Sequence, residues 1–326
     1  MTAQEKRNLK YSAISTWKFS AVSPYFNLLG RARTFFPAWH FIFSVTHNFF
    51  FLQQRQVLHL THRPVINVQT DLDNKIPFEP SKVNTYLGFI PFFVKPFDMM
   101  IKRLGYKKAA PFIRQNLRAL TKTYKSASSI YRFSMTTTDR PHYMEDAAFK
   151  AIHAADPHLL CVPSLHVSIC AVTYAWYKGF FEKGVAAGLF SEEEADRRLS
   201  EIKAQAIAII ESVLFVKQHS VNCIPTALYM ITAVFGDDFF SAEDAVFFIE
   251  ELFKKSSEID PATRKEILDY FTSLYERNLL ENSFNENWQD SIKNWLVDFA
   301  GKTGQALSQA LQTKKMPPAQ TGGKVH

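Results

Sequence analysis

The chain has 326 residues, 14% of them aromatic (30 Phe) and 21% charged, with a formal net charge of +7. That length suits one large helical domain with appendages or two ordinary ones, and no linker rich in Gly, Pro or Ser divides the middle, so one domain is expected. Three cysteines, Cys161, Cys170 and Cys223, are odd in number and include no C-x-x-C pair, so neither a disulfide framework nor a zinc site is suggested, while the positive balance suits an anionic partner: a lipid headgroup, a membrane surface or nucleic acid.

The opening stretch, MTAQEKRNLKYSAISTWKF, lacks the apolar core of a signal peptide. Residues 35–52, FFPAWHFIFSVTHNFFFL, are an aromatic run broken by His40, His47 and Asn48. A turn-rich DLDNKIPFEP (71–80) precedes the apolar segment 83–101, in which Pro91 and Pro96 are expected to break or kink any helix. Residues 103–132 are basic: Arg103, Lys107, Lys108, Arg114, Arg118, Lys122, Lys125 and Arg132. Such a run reads as a solvated helix face or, more sharply, as a surface for anionic lipid.

Further along, LLCVPSLHVSICAVTYAWYKGFF (159–181) is the most hydrophobic stretch of its length. Ser191 followed by three Glu reads as the start of a helix over 192–217. An apolar CIPTALYMITAVF ends at Gly236, and Ser241 and Asp260-Pro261 open two amphipathic helices. No internal repeat, no period-two alternation and no glycine-rich phosphate loop is present, so the expected fold class is all-α. None of the apolar segments is a run of about 20 uninterrupted apolar residues, the length needed to span a bilayer.

Three pieces of sequence carry candidate chemistry: TTTDRPHY around Arg140, DPHLLCVPSLHVS from Asp156 to Ser168, and ESVLFVKQHSVNC from Glu211 to Cys223. A phosphoester needs an Arg fork and hydroxyl donors for its charge, which Arg140 and Ser164 can supply. One imidazole can attack phosphorus and another can move the proton of the leaving group, roles open to His219 and His166, and opposite protonation states would suit the pair. Taken singly, each has a plainer reading: His166 as a core histidine, Arg140-Pro141 as a helix start capped by Thr136 to Thr138, His219 as a surface residue of a helix ending near Pro225. The remaining histidines show no metal spacing beyond His59/His62, so no metal or cofactor is expected.

In order and spacing, Arg140-Pro141, Pro163-Ser164-Leu165-His166 with Asp156-Pro157 upstream, and His219 resemble the motifs of the type 2 phosphatidic-acid phosphatase superfamily. Ser212 and Lys217-Gln218-His219 are most similar to its inositol-phosphorylceramide-synthase-like subgroup, as is the turn from Asp73 to Pro80. The resemblance covers roughly residues 70–235. It implies a helical bundle and a metal-independent phosphatase or phosphotransferase that acts on a lipid phosphate or related phosphomonoester through a phosphohistidine on His219. His166 would then be the acid/base, and Arg140 and Ser164 would bind phosphate.

The chain departs from the family pattern in three places. Where the family has the carboxylate that orients its nucleophilic His stands Cys223, which cannot hold an imidazole tautomer in that way, so helical spacing makes Asn222 the expected partner of His219. Where members commonly have a Lys before Arg-Pro stands Phe133, leaving Arg132 beside it as a further phosphate-binding candidate. Val213 replaces an Arg that the synthase-like subgroup also lacks.

Activity is thus left open, the alternative being a catalytically silent relative that binds lipid or another anion. The expected organisation is an aromatic and basic helical segment (1–69), a phosphatase-like helical core (70–236), amphipathic C-terminal helices (237–312) and a disordered tail (313–326). The expected setting is association with a membrane surface, peripheral or partly embedded, and otherwise cytoplasmic. No nucleic-acid partner is expected, since no recognition motif accompanies the basic residues. Oligomeric state is left open.

Overall fold

The structure, a computed structural model, describes residues 1–305 apart from Met144; the tail 313–326 and the end of the C-terminal helical stretch, 306–312, lie outside the described residues. The fold is all-α with two short strands. Helices α1 (Ala3–Tyr11), α2 (Ser23–Leu29), α3 (Ala32–Val45) and α4 (Phe51–Val57) precede strand β1 (Val65–Asn67), and a π-helical turn, Thr46–Phe50, joins α3 to α4. Next come α5 (Asp71–Asn74), α6 (Val83–Leu87), α7 (Phe89–Leu104), α8 (Tyr106–Tyr131), strand β2 (Met135–Thr137) and α9 (Ala147–Ala155). The remainder is α10 (Leu165–Ala186), α11 (Glu192–Phe215), α12 (Cys223–Phe235), α13 (Ala242–Glu251), α14 (Pro261–Asn282) and α15 (Trp288–Lys302).

Helix α10 is the axis. It packs against α7, α8, α11 and α12 and is buried on nearly every side, which explains why its sequence is apolar without being amphipathic. Buried side chains from Phe19 to Ala300 form one contiguous core. The C-terminal helices join it through α14 on α12 and α15 on α14. Among the described residues no helix is long and apolar enough to cross a membrane.

Local chemistry sets several helix starts. Ser191 Oγ accepts the Glu194 N–H at 3.2 Å, Ser241 and Asp244 cap each other, and Asp260 accepts from Ala262 and Thr263 ahead of Pro261. The two prolines of 83–101 act differently from expectation. The break falls at Gly88, between α6 and α7. Pro91 sits in the first turn of α7, where an N–H has no intrahelical acceptor, and α7 continues through Pro96 with the loss of a single backbone bond.

The strands were not legible in the sequence. They are three residues each, pair in parallel with Val65 opposite Met135, and gain a further bridge from Thr136 to Leu160. Their position is set by helices far apart in the chain rather than by any alternation of their own, and they carry the backbone that enters the site.

Candidate functional site

Ser164 is the N-cap of α10. Its Oγ accepts the Val167 N–H at 3.4 Å, so the hydroxyl and the positive end of a 22-residue helix face the same point. The backbone leading to it is fixed by the strands: Cys161 N–H donates to the Thr136 carbonyl (3.2 Å) and Val162 N–H to Thr136 Oγ1 (2.7 Å). Tyr131 at the end of α8 donates its hydroxyl to the Pro163 carbonyl.

His219 does not lie on a helix. α11 ends at Phe215, Lys217 turns the chain with a positive φ of 54°, and the Gln218 and His219 amides both donate to the Val213 carbonyl at 3.1 Å. The loop is fastened to 70–76. Asp73 takes the Val221 N–H and the Ser220 hydroxyl, each at 2.8 Å, together with the Thr70 N–H, also at 2.8 Å. Lys217 Nζ donates to the Asp73 and Ile76 carbonyls. Burial raises the Asp73 carboxyl above its ordinary value despite these donors. No sequence motif marked Asp73 as a site residue; an Asp two residues after another in a turn is ordinary, and only its burial reveals the role.

The expected partnership between Asn222 and His219 is not formed. With His219 in a loop, the helical spacing that linked them does not apply. Asn222 instead donates to the Val68 carbonyl (2.8 Å) and accepts from the Tyr270 hydroxyl of α14. The partner of His219 is a backbone group, the Cys161 carbonyl, 3.2 Å from Nδ1. A carbonyl only accepts, so Nδ1 carries the proton and Nε2 the lone pair in the neutral ring. Nε2 lies 3.4 Å from Ser164 Oγ. Burial, with a smaller contribution from the Arg140 charge, pushes His219 down to about 4, against the opposing effect of the Cys161 bond.

His166 stands edge-on to His219 with ring centroids 5.6 Å apart, and lies against Tyr86 and Phe89, each at 4.4 Å. Burial and the neighbouring His219 hold it well below its ordinary value, so both imidazoles are neutral near pH 7 and the expected opposite protonation states do not occur in this form of the site. Arg140 leaves the end of β2 in a loop, donating Nη1 to the Asp156 carbonyl (3.1 Å) and Nη2 to its carboxylate (3.3 Å), while Nε is buried without a partner. Asp156 thus occupies both Nη groups of the guanidinium.

Arg132, also expected to bind phosphate, is not brought to the site. One residue beyond Tyr131 on the same turn, it is exposed and faces the other way, with Nε on Ser128 Oγ (3.1 Å) and Nη2 on Asn48 Oδ1 (3.0 Å). Cys223 is buried at the start of α12, and its carbonyl accepts the Ser164 N–H at 3.3 Å.

No family model, curated protein or solved structure matches this chain. The site therefore stands on its own geometry. Among the described residues no group of three His, Cys, Asp or Glu side chains could hold a metal ion, His59 and His62 included. A cavity of about 550 Å³ ends on His166, Leu165 and Asp156. Its walls are otherwise almost wholly apolar, from α2, α3, α6 and α7, with Leu28, Phe41, Phe93 and Phe97 among them. Chemically, the Nε2 lone pair of His219 can attack an electrophile directly or take a proton from the Ser164 hydroxyl.

Proposed function

We propose that the chain is a metal-independent phosphatase or phosphotransferase acting on a lipid phosphate, as its resemblance to the type 2 phosphatidic-acid phosphatases implies. The observation that carries the reading is the end of the apolar cavity at His166. Behind His166 stands His219, its ring centroid 5.6 Å away and its Nε2 3.4 Å from Ser164 Oγ, and Asp156, which also lines the cavity, holds Arg140.

In this reading the phosphate displaces Asp156 from Arg140 and takes hydrogen bonds from the guanidinium and the Ser164 hydroxyl. His219 Nε2 attacks phosphorus as the ester P–O bond breaks. The substrate binds as its monoanion, and the single proton it brings passes through His166 to the departing alkoxide, since His166 itself starts neutral. Water, or a second alcohol in the transferase case, then attacks the phosphohistidine. Its proton passes through His166 to the phosphoryl oxygen, and His219 returns to its neutral form. The Cys161 carbonyl supplies the orientation that a carboxylate would give, without its charge.

The test is phosphate release from phosphatidic acid vesicles and from para-nitrophenyl phosphate in the presence of a chelator. Wild type is expected to turn over and to form an acid-labile, base-stable phosphoenzyme, and both His219→Ala and His166→Ala are expected to lose at least ~10³-fold. A covalent adduct on Ser164 with an activated ester, in the absence of phosphoenzyme, would reassign the pair to acyl transfer.

A second reading, a silent anion-binding relative, is favoured by the ion pair that already fills the Arg140 fork. It predicts phosphate-lipid binding without turnover.

A further inference from the structure

Residues 6–70 contain eight Lys and Arg and not one Asp or Glu, and residues 99–138 contain nine and none. These two acid-free stretches include α3 and α8, which pack side by side. None of the eight cations in 6–70 forms an ion pair among the described residues. On α8, Lys125 Nζ lies 3.2 Å from His40 Nε2 of α3 with no carboxylate at hand.

The same region exposes its largest apolar side chains. On α3, Phe36, Trp39 and Phe43 recur at helical spacing and are 76%, 57% and 59% exposed. They line a cleft whose other wall holds Arg118 of α8. The opposite face of α3, through Ala38, Phe41 and Val45, walls the apolar cavity. Tyr25, Phe50, Leu87 and Ile90 line that cavity and are themselves exposed. Its mouth is therefore rimmed by side chains that water solvates poorly.

From this arrangement we infer that the α2–α4 segment and the adjoining face of α8 dock on the surface of an anionic phospholipid bilayer. Phe36, Trp39 and Phe43 enter the headgroup–acyl boundary, Arg31, Arg33 and Arg118 lie among the phosphates, and the cavity mouth opens to the acyl layer. Aromatic side chains on one helical face with Arg and Lys around them are the composition that such interfaces select. A second copy of the chain is a poor occupant, because a two-fold contact through this face would set the Arg and Lys of 6–70, none of which forms an ion pair among the described residues, against their own copies.

The deciding experiment uses the full chain and flotation with two sets of vesicles, phosphatidylcholine alone and phosphatidylcholine with about one third phosphatidylglycerol. The expected result is binding to the mixed vesicles, release on raising salt to about 0.5 M, and quenching of Trp39 fluorescence by brominated acyl chains that is absent in Trp39→Phe. The triple variant Phe36→Ser/Trp39→Ser/Phe43→Ser is expected to bind at least ~tenfold more weakly with an unchanged melting curve, because these side chains are exposed.

Wild type that stays unbound on both vesicle sets overturns the inference. So does a triple variant that floats like wild type, or a dimer in light scattering that the triple variant abolishes while vesicles bind neither protein. Binding is read without turnover, so a chain that floats but releases no phosphate would fail the phosphatase reading and leave the docking face intact.

Discussion

Around His219 most polar groups are buried and matched, Arg140 Nε being an exception, whereas at the cavity mouth apolar groups are exposed and the cations of 6–70 form no ion pair among the described residues. Both Asp73 oxygens accept hydrogen bonds, Asn222 uses both ends of its amide, and Arg140 is held by Asp156. Along α2–α4, by contrast, Phe36, Trp39 and Phe43 face outward beside Arg31 and Arg33, and no Asp or Glu lies between Glu5 and Asp71 in the chain. The contrast teaches where each environment is tolerable. A buried polar group without a partner costs about 1–3 kcal/mol, so the closed end must be satisfied by the protein itself, while the outer face can leave both its apolar area and its charge to whatever it meets.

The largest effect is expected at the closed end. Asp73→Ala strands the Ser220 hydroxyl and the Val221 and Thr70 amides in the interior, and should cost about 3 kcal/mol or more in urea unfolding, with loss of the ordered His219 loop. A loss below about 1 kcal/mol would mean that the loop is held by other contacts than those of Asp73.

Acid should act on the same end. His219 is held at about 4 in the folded chain against an ordinary 6.5, so the unfolded chain binds a proton that the folded one refuses. Stability is therefore complete above pH 6.5 and is lost as the pH falls toward 4, by about 2–3 kcal/mol from this group. His158, pushed down to about 2 by burial and by the Arg140 charge, adds to the loss in the same direction. Urea midpoints measured across this range should fall less steeply in His219→Gln, and an unchanged slope would remove His219 from the account.

A smaller effect separates the two ends through the substrate. Ala38→Phe fills the cavity from its α3 wall, and should raise KM for a long-chain phosphatidic acid about tenfold while leaving para-nitrophenyl phosphate unaffected. Equal effects on both substrates would disconnect the cavity from the reaction. The smallest is at the outer face: Phe36→Ser alone should change unfolding free energy by no more than about 0.5 kcal/mol, since the side chain is 76% exposed.

Whereas the helix start at Ser164 emerged with the structure, the amino-acid sequence by itself determined the all-α class and the caps at Ser191, Ser241 and Asp260. Each of these depends on residues within a few positions of one another, where chain geometry leaves little freedom. It misplaced Asn222 because i and i+3 share a face only on a helix, and the turn at Lys217 takes His219 off one. It assigned Arg132 to phosphate because adjacency in sequence to Phe133 says nothing of direction, and a helix rotates successive side chains by about 100°. Only the tertiary structure decided that a carbonyl 58 residues away orients His219, that Asp73 fastens its loop from 147 residues away, and that an apolar cavity ends on His166. These depend on where distant backbones cross, and a backbone carbonyl, identical at every position, leaves no mark in the sequence.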